Sequence, residues 1–185
     1  VYKRQELADA KPSGWASYLH YLSGVAVWRA QIVQIFKNAL GMAVDEFVPR
    51  KRRAEISTEA RIHLLLYAIV AGAGLHFRID ALLWLWLVPA LIGQPFLRAY
   101  LLAEHTGCAY VSNMLENTRT TYTVRLIRFI AWNMPYHTEH HAYPAVPFHK
   151  LPDLHRLIAA QLKVTENGYL AFHRNLPKSW RRGPQ

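Results

Sequence analysis

The chain has 185 residues, 52% of them hydrophobic, and carries 22 Lys and Arg against 12 Asp and Glu for a formal net charge of +10. That length allows one domain at most. So basic a soluble chain would suggest nucleic acid as partner, but here the basic residues flank apolar spans, so anionic lipid headgroups and membrane topology are the expected reason and nucleic acid is not an expected partner.

In chain order, residues 1–14 read as a non-native or linker segment, with no initiating Met and no visible signal peptide, and the natural chain is expected to be longer at its N-terminus. From Trp15 to Leu40 the residues Leu22, Val25, Trp28, Ile32, Phe36 and Leu40 recur at helical spacing, interrupted by Arg29, Gln31, Gln34 and Lys37. This predicts an amphipathic helix over residues 15–41 lying in a membrane interface, with a buried or spanning helix as the alternative. A polar connection, Met42–Glu59, holds the charge run Arg50–Arg53. Next to an apolar span such a run marks the cytoplasmic side.

Ser57, Thr58 and Glu59 suggest a helix start, and Ile62–Leu75 is almost purely apolar. A first span is predicted over residues 60–77, a hinge at His76–Asp80 and a second span over 81–104. Each reaches the roughly 20 residues that cross about 30 Å of hydrocarbon. Gly72, Gly74, Pro89, Gly93 and Pro95 suit packed membrane helices better than soluble ones; a buried hairpin in a soluble bundle is the alternative. With Arg50–Arg53 in the cytoplasm, the second span returns there and delivers His105, and the His-rich region 105–163 stays on that side. After Pro152 a helix with the stripe Leu154, Leu157, Ile158 and Leu162 is expected, then a polar, basic tail from Val164 with Gly168 and Pro177 as breakers, ending in residues 176–185.

The densest chemistry lies at Trp132–Pro152. His137, His140 and His141 form H-x-x-H-H, a spacing that puts the imidazoles on one helical face and suits a metal bound by nitrogen: zinc, iron or copper. Pro135 sits where a first helical turn tolerates it, and Pro144 and Pro147 end the segment soon after His141. Neither H-E-x-x-H nor H-x-x-E-H is spelled, which argues against a zinc hydrolase. Cys108 is the only cysteine, so neither a disulfide framework nor a cysteine zinc site exists. Asn133 either reaches a metal through water or caps the ligand helix. Glu104 and Glu139 either accept the distal N–H of a liganded imidazole or pair with an arginine.

The pattern N-x-x-Y-H-x-E-H-H-x-x-P-x-V-P resembles the third histidine box of the membrane-bound fatty acid desaturase family, which includes carotenoid hydroxylases and ketolases. Glu104–Gly107 and Asn117–Thr120 resemble the stretch preceding that box in bacterial members, and the likeness covers roughly residues 16–175. It implies an all-α integral membrane fold: a transmembrane helical hairpin, interfacial amphipathic helices and a cytoplasmic helical cap carrying a His-rich metal site. It also implies two irons, with His137, His140 and His141 matching the third box and His105 matching an isolated ligand.

Asn133, Glu104 and Glu139 are then candidates for the shell around the ligands. The first two boxes are absent here, and His20, His63, His76, His149, His155 and His173 have no partner at box spacing; His149 and His155 are expected at the surface or around the ligands, not as ligands. The chain is therefore expected to be the C-terminal part of a diiron, O2-dependent lipid desaturase, inactive alone. A hydroxylase or ketolase on the same scaffold and a non-catalytic metal-binding membrane fragment are the alternatives. Expected partners are membrane lipid, an acyl substrate and an external ferredoxin, rubredoxin or cytochrome-type electron donor, since no G-x-G-x-x-G follows a strand.

Overall fold

The computed structural model describes residues 11–42 and 48–180. Most of the leading segment, part of the connection after Met42 and residues 181–185 lie outside them. The chain forms two compact units: residues 23–95, and residues 1–22 joined with 96–185.

The helix expected over residues 15–41 is two helices, α1 (Trp15–Ser23) and α2 (Val25–Ala39). Between them Gly24 adopts φ +70, which a side-chain-bearing residue resists, and an added Cβ there would stand 3.0 Å from Cβ of Gln94. The break coincides with the boundary between the units.

In the first unit α2 packs beside α3 (Arg53–His76), with the Arg61 side chain donating to the Ala39 carbonyl at 2.8 Å. Helix α3 begins earlier than the Ser57–Glu59 signal suggests, because Pro49 leads into a 3-10 turn at Arg50–Arg52 that runs straight into it. Ser57 and Thr58 are interior residues whose hydroxyls donate back to the carbonyls of Arg53 and Ala54. After a short hinge, in which Arg78 takes a positive φ, the chain re-enters helix at Asp80–Leu82. It then widens into a π turn at Leu83–Leu87 and continues as α4 (Val88–His105). The wide turn lies just before Pro89, whose ring would crowd the carbonyl four residues back in a regular α-helix.

Arg50–His76 and Asp80–His105 are each long and apolar enough to cross a membrane. Only 11% and 0% of their apolar windows are buried by protein.

The second unit begins with α1 and resumes in the last turns of α4, where Leu102 and Ala103 are fully buried. They pack against Phe172 and Leu176 of α9 (Tyr169–Trp180), rimmed by Tyr18, Tyr21, Tyr169 and Trp180. The chain after Val164, expected as a polar tail, is thus largely a docked helix, and the tail placed from residue 176 starts inside it. Pro177 lies within the helix instead of breaking it.

Between α4 and α9 come α5 (Met114–Asn117), β1 (Thr120–Thr121), α6 (Arg125–Ile130), α7 (His137–Ala142), α8 (Leu151–Ile158) and β2 (Thr165–Glu166). The two short strands pair in parallel, Thr120 opposite Thr165 and Thr121 opposite Glu166. On α8 the buried residues are Leu151 and Ile158, whereas Leu157 is 79% exposed, so the expected stripe is rotated.

Candidate metal centre

This unit's interior is unusually polar: Glu104, His105, the run Asn117–Thr121, His137, Thr138 and Glu139 are all buried. Buried polar groups persist only where partners satisfy them, and here the partners converge on three imidazoles. His105, at the C-terminal end of α4, places Nε2 3.0 Å from Nε2 of His137. His141, one turn further along α7, places its Nε2 2.9 Å from the same atom. The ligand atoms of all three lie within 4.8 Å of one another.

The opposite ring edges are engaged. Nδ1–H of His105 donates to the Asn117 carbonyl at 3.1 Å. Nδ1 of His137 lies 3.5 Å from the Glu104 carboxylate, which sits one residue before His105 on α4. The carbonyl contact leaves Nε2 of His105 as a lone pair, and an Nδ1–H on His137 turned to Glu104 would leave its Nε2 as a second one facing it. Two such lone pairs repel unless a cation or a shared proton lies between them. A metal–nitrogen bond of about 2.1 Å with a right angle at the metal separates two nitrogens by about 3.0 Å. The donor set therefore fits a first-row metal ion.

His140 stands beside the group: its ring centroid is 5.5 Å from that of His141 and 6.3 Å from that of His137. On a helix, positions i+3 and i+4 diverge by about 100° around the axis, so the expected common face is shared by His137 and His141 alone. Among the other candidates, Glu104 faces His137, while Glu139 turns away from the three rings. One Glu139 oxygen accepts from the Thr120 hydroxyl and the other from Nδ1–H of His155, both at 2.5 Å. Asn133 does not cap α7, whose N-cap position is Tyr136; its amide donates to the Phe148 carbonyl at 3.2 Å. Burial pushes the Cys108 thiol above its ordinary pKa, so Cys108 is a poor nucleophile.

Two residues with roles here stand out only in three dimensions. Asn117 contributes through its main-chain carbonyl, which no side-chain pattern advertises. His155, expected at the surface or around the ligands, is 17% exposed and bonded to Glu139, and it sits four residues after Leu151 and three before Ile158, the spacing of a buried stripe.

Three imidazoles converging at the end of a long apolar helix, inside a mostly helical fold, make a candidate metal centre of the kind a helical metalloprotein carries. The model of the fatty acid desaturase family matches residues 3–173, and the chain belongs to that family. No curated protein and no solved structure matches it.

Proposed function

We propose that this chain carries part of the iron site of an O2-dependent diiron membrane oxidoreductase that introduces a double bond into a fatty acyl or related lipid chain. The observation that carries the reading is the convergence of the His105, His137 and His141 Nε2 atoms. These residues would hold one iron, and His140 is the donor proposed for the second. The chemistry supplied by bound iron is activation of O2 for removing hydrogen from an unactivated methylene. Two irons need more donors than these four imidazoles, so the full ligand set draws on the first two histidine boxes of a longer chain.

The residues of this chain bind, orient and shield. Asn117 and Glu104 hold the rings of His105 and His137 so that their lone pairs face inward. Burial of His105 and His137 keeps water from that side of the centre.

Membrane insertion is part of the proposal. It is supported by two helices of sufficient length whose apolar windows are only 11% and 0% buried among the described residues. The basic run Arg50–Arg53 favours a cytoplasmic metal site, and the net charge of +10 favours an acidic electron donor. Four measurements test these parts. Two irons per chain in the longer protein, and a new double bond found by mass spectrometry across a lipid panel, are the expected results; a single tightly held zinc would sink the reading. Impermeant thiol labelling of Lys150→Cys in a Cys108→Ser background tests sidedness, with labelling expected only from the cytoplasm. Electron-transfer rates should fall as salt rises.

A further inference from the structure

Helix α7 is six residues long, and its N-cap residue, Tyr136, supplies no side-chain cap. So short a helix is not stable by itself, so something outside it must fix the positions of His137 and His141 relative to His105. Glu139, between the histidines and fully buried, is the handle. A carboxylate removed from water requires donors, and Glu139 has them from two different elements. Thr120 of β1 donates to one oxygen and His155 of α8 to the other.

Both donors are themselves held. The His155 ring lies against Tyr136 with centroids 4.8 Å apart and meets the Tyr122 ring edge-on at 5.6 Å. Leu151 and Ile158, buried on the same face of α8, anchor it from either side. Thr120 belongs to the segment whose Asn117 carbonyl already fixes His105, and the next residue, Thr121, donates its N–H to the Pro135 carbonyl at 2.9 Å. One segment, Asn117–Thr121, thus touches both ligand-bearing elements.

We infer that His155 and Thr120, acting through Glu139, form a clamp that sets the register of the α7 histidines against His105 and thereby the metal affinity of the centre. His155 is a positioning residue in this arrangement. The inference rests on reading His105, His137 and His141 as metal ligands.

The test is a Co(II) titration of the purified chain in detergent, followed by visible absorption, with melting temperature recorded for each variant. His155→Asn places an amide N–H where Nδ1 stands, whereas His155→Gln places it where Nε2 stands; Thr120→Ser keeps the hydroxyl and Thr120→Val removes it. Expected is a loss of Co(II) affinity of about tenfold to a hundredfold in His155→Gln and Thr120→Val, with a changed ligand-field spectrum. His155→Asn and Thr120→Ser should stay within about threefold of the parent. Thr120→Val, acting from a different element, carries the test if His155→Gln does not fold.

Parent-like affinity and spectrum in both His155→Gln and Thr120→Val overturn the clamp while leaving the ligand reading intact. Lowered melting temperatures with an unchanged spectrum also overturn it, since they show support of the fold alone. A parent chain that takes up no Co(II) overturns both.

Discussion

The His105 ring donates from Nδ1 to the Asn117 carbonyl at 3.1 Å, and its other nitrogen stands 3.0 Å from Nε2 of His137. This imidazole is thereby oriented by main chain twelve residues downstream, on the segment that also supports α7. Because the orienting group is a carbonyl, replacing the Asn117 side chain leaves the contact itself in place. The informative substitutions are in the imidazoles.

His105→Ala and His141→Ala each remove one of three converging nitrogens and should lower affinity for a first equivalent of Co(II) more than tenfold, a loss of about 1.4 kcal/mol or more. His140→Ala, outside the group, should change that first affinity little. Equilibrium dialysis of the three variants checks this. Equal damage from His140→Ala and His141→Ala would show that the first ion does not sit among the three rings.

Arg119 is the second support to test. Its guanidinium donates to the Ala103 carbonyl and lies over the Phe172 ring at 4.9 Å, while its backbone N–H donates to the Glu104 carbonyl at 2.9 Å. It therefore joins the end of α4 to α9. Arg119→Ala strands a buried carbonyl and removes packing against Phe172, and should destabilise the protein by about 1–3 kcal/mol. Arg119→Lys should recover part of this but not the fork geometry. Denaturant midpoints in detergent read the difference, and a loss below a few tenths of a kcal/mol would remove Arg119 from the account.

The two apolar helices and the region of the metal centre were legible in the sequence because each rests on a local signal: long apolar runs in one case, a five-residue histidine cluster in the other. What stayed hidden depends on contacts distant in sequence. Thr120 meets Thr165 only after the intervening helices have packed. The amphipathic pattern through Trp28 and Phe36 passed over Gly24, since a glycine inside a helical pattern marks a break only when its φ is known. Gly168 and Pro177 suggested a broken tail, yet Phe172 and Leu176 find the buried pair Leu102 and Ala103, and that packing sustains α9 past the proline. His155 reads from the sequence as a surface or supporting group, and which of the two it is depends on Glu139, sixteen residues away.

The proposed membrane insertion of the two apolar helices makes its own prediction. Ile69 on α3 and Leu91 on α4 are more than half exposed within otherwise apolar helices. In a bilayer, Ile69→Arg or Leu91→Arg should disfavour insertion by about 2.5–3.5 kcal/mol each. The double variant should move from the carbonate-resistant membrane fraction into aggregates or the soluble fraction. Undiminished insertion would mean that these faces do not meet hydrocarbon.

The last prediction concerns pH. His173 on α9 accepts a hydrogen bond at Nδ1 from the Tyr18 hydroxyl at 3.0 Å and donates from Nε2 to the Ala99 carbonyl at 3.1 Å. It so ties α1 and α9 to the end of α4 within one unit. Burial holds its pKa below the ordinary histidine value of 6.5, which outweighs the opposing effect of the Ala99 carbonyl. The folded state therefore favours neutral imidazole, and below pH 6.5 the unfolded chain binds the proton more readily than the folded one. The stability that His173 contributes is complete above pH 6.5 and declines as pH falls through the depressed folded value. His173→Gln, which retains an amide donor without titrating, should melt below the parent at pH 8, and the gap should narrow or reverse toward pH 5. A gap that stays constant across that range would mean that His173 is protonated equally in both states. His173→Ala should lower melting while leaving Co(II) affinity unchanged, because none of its contacts reaches the three imidazoles.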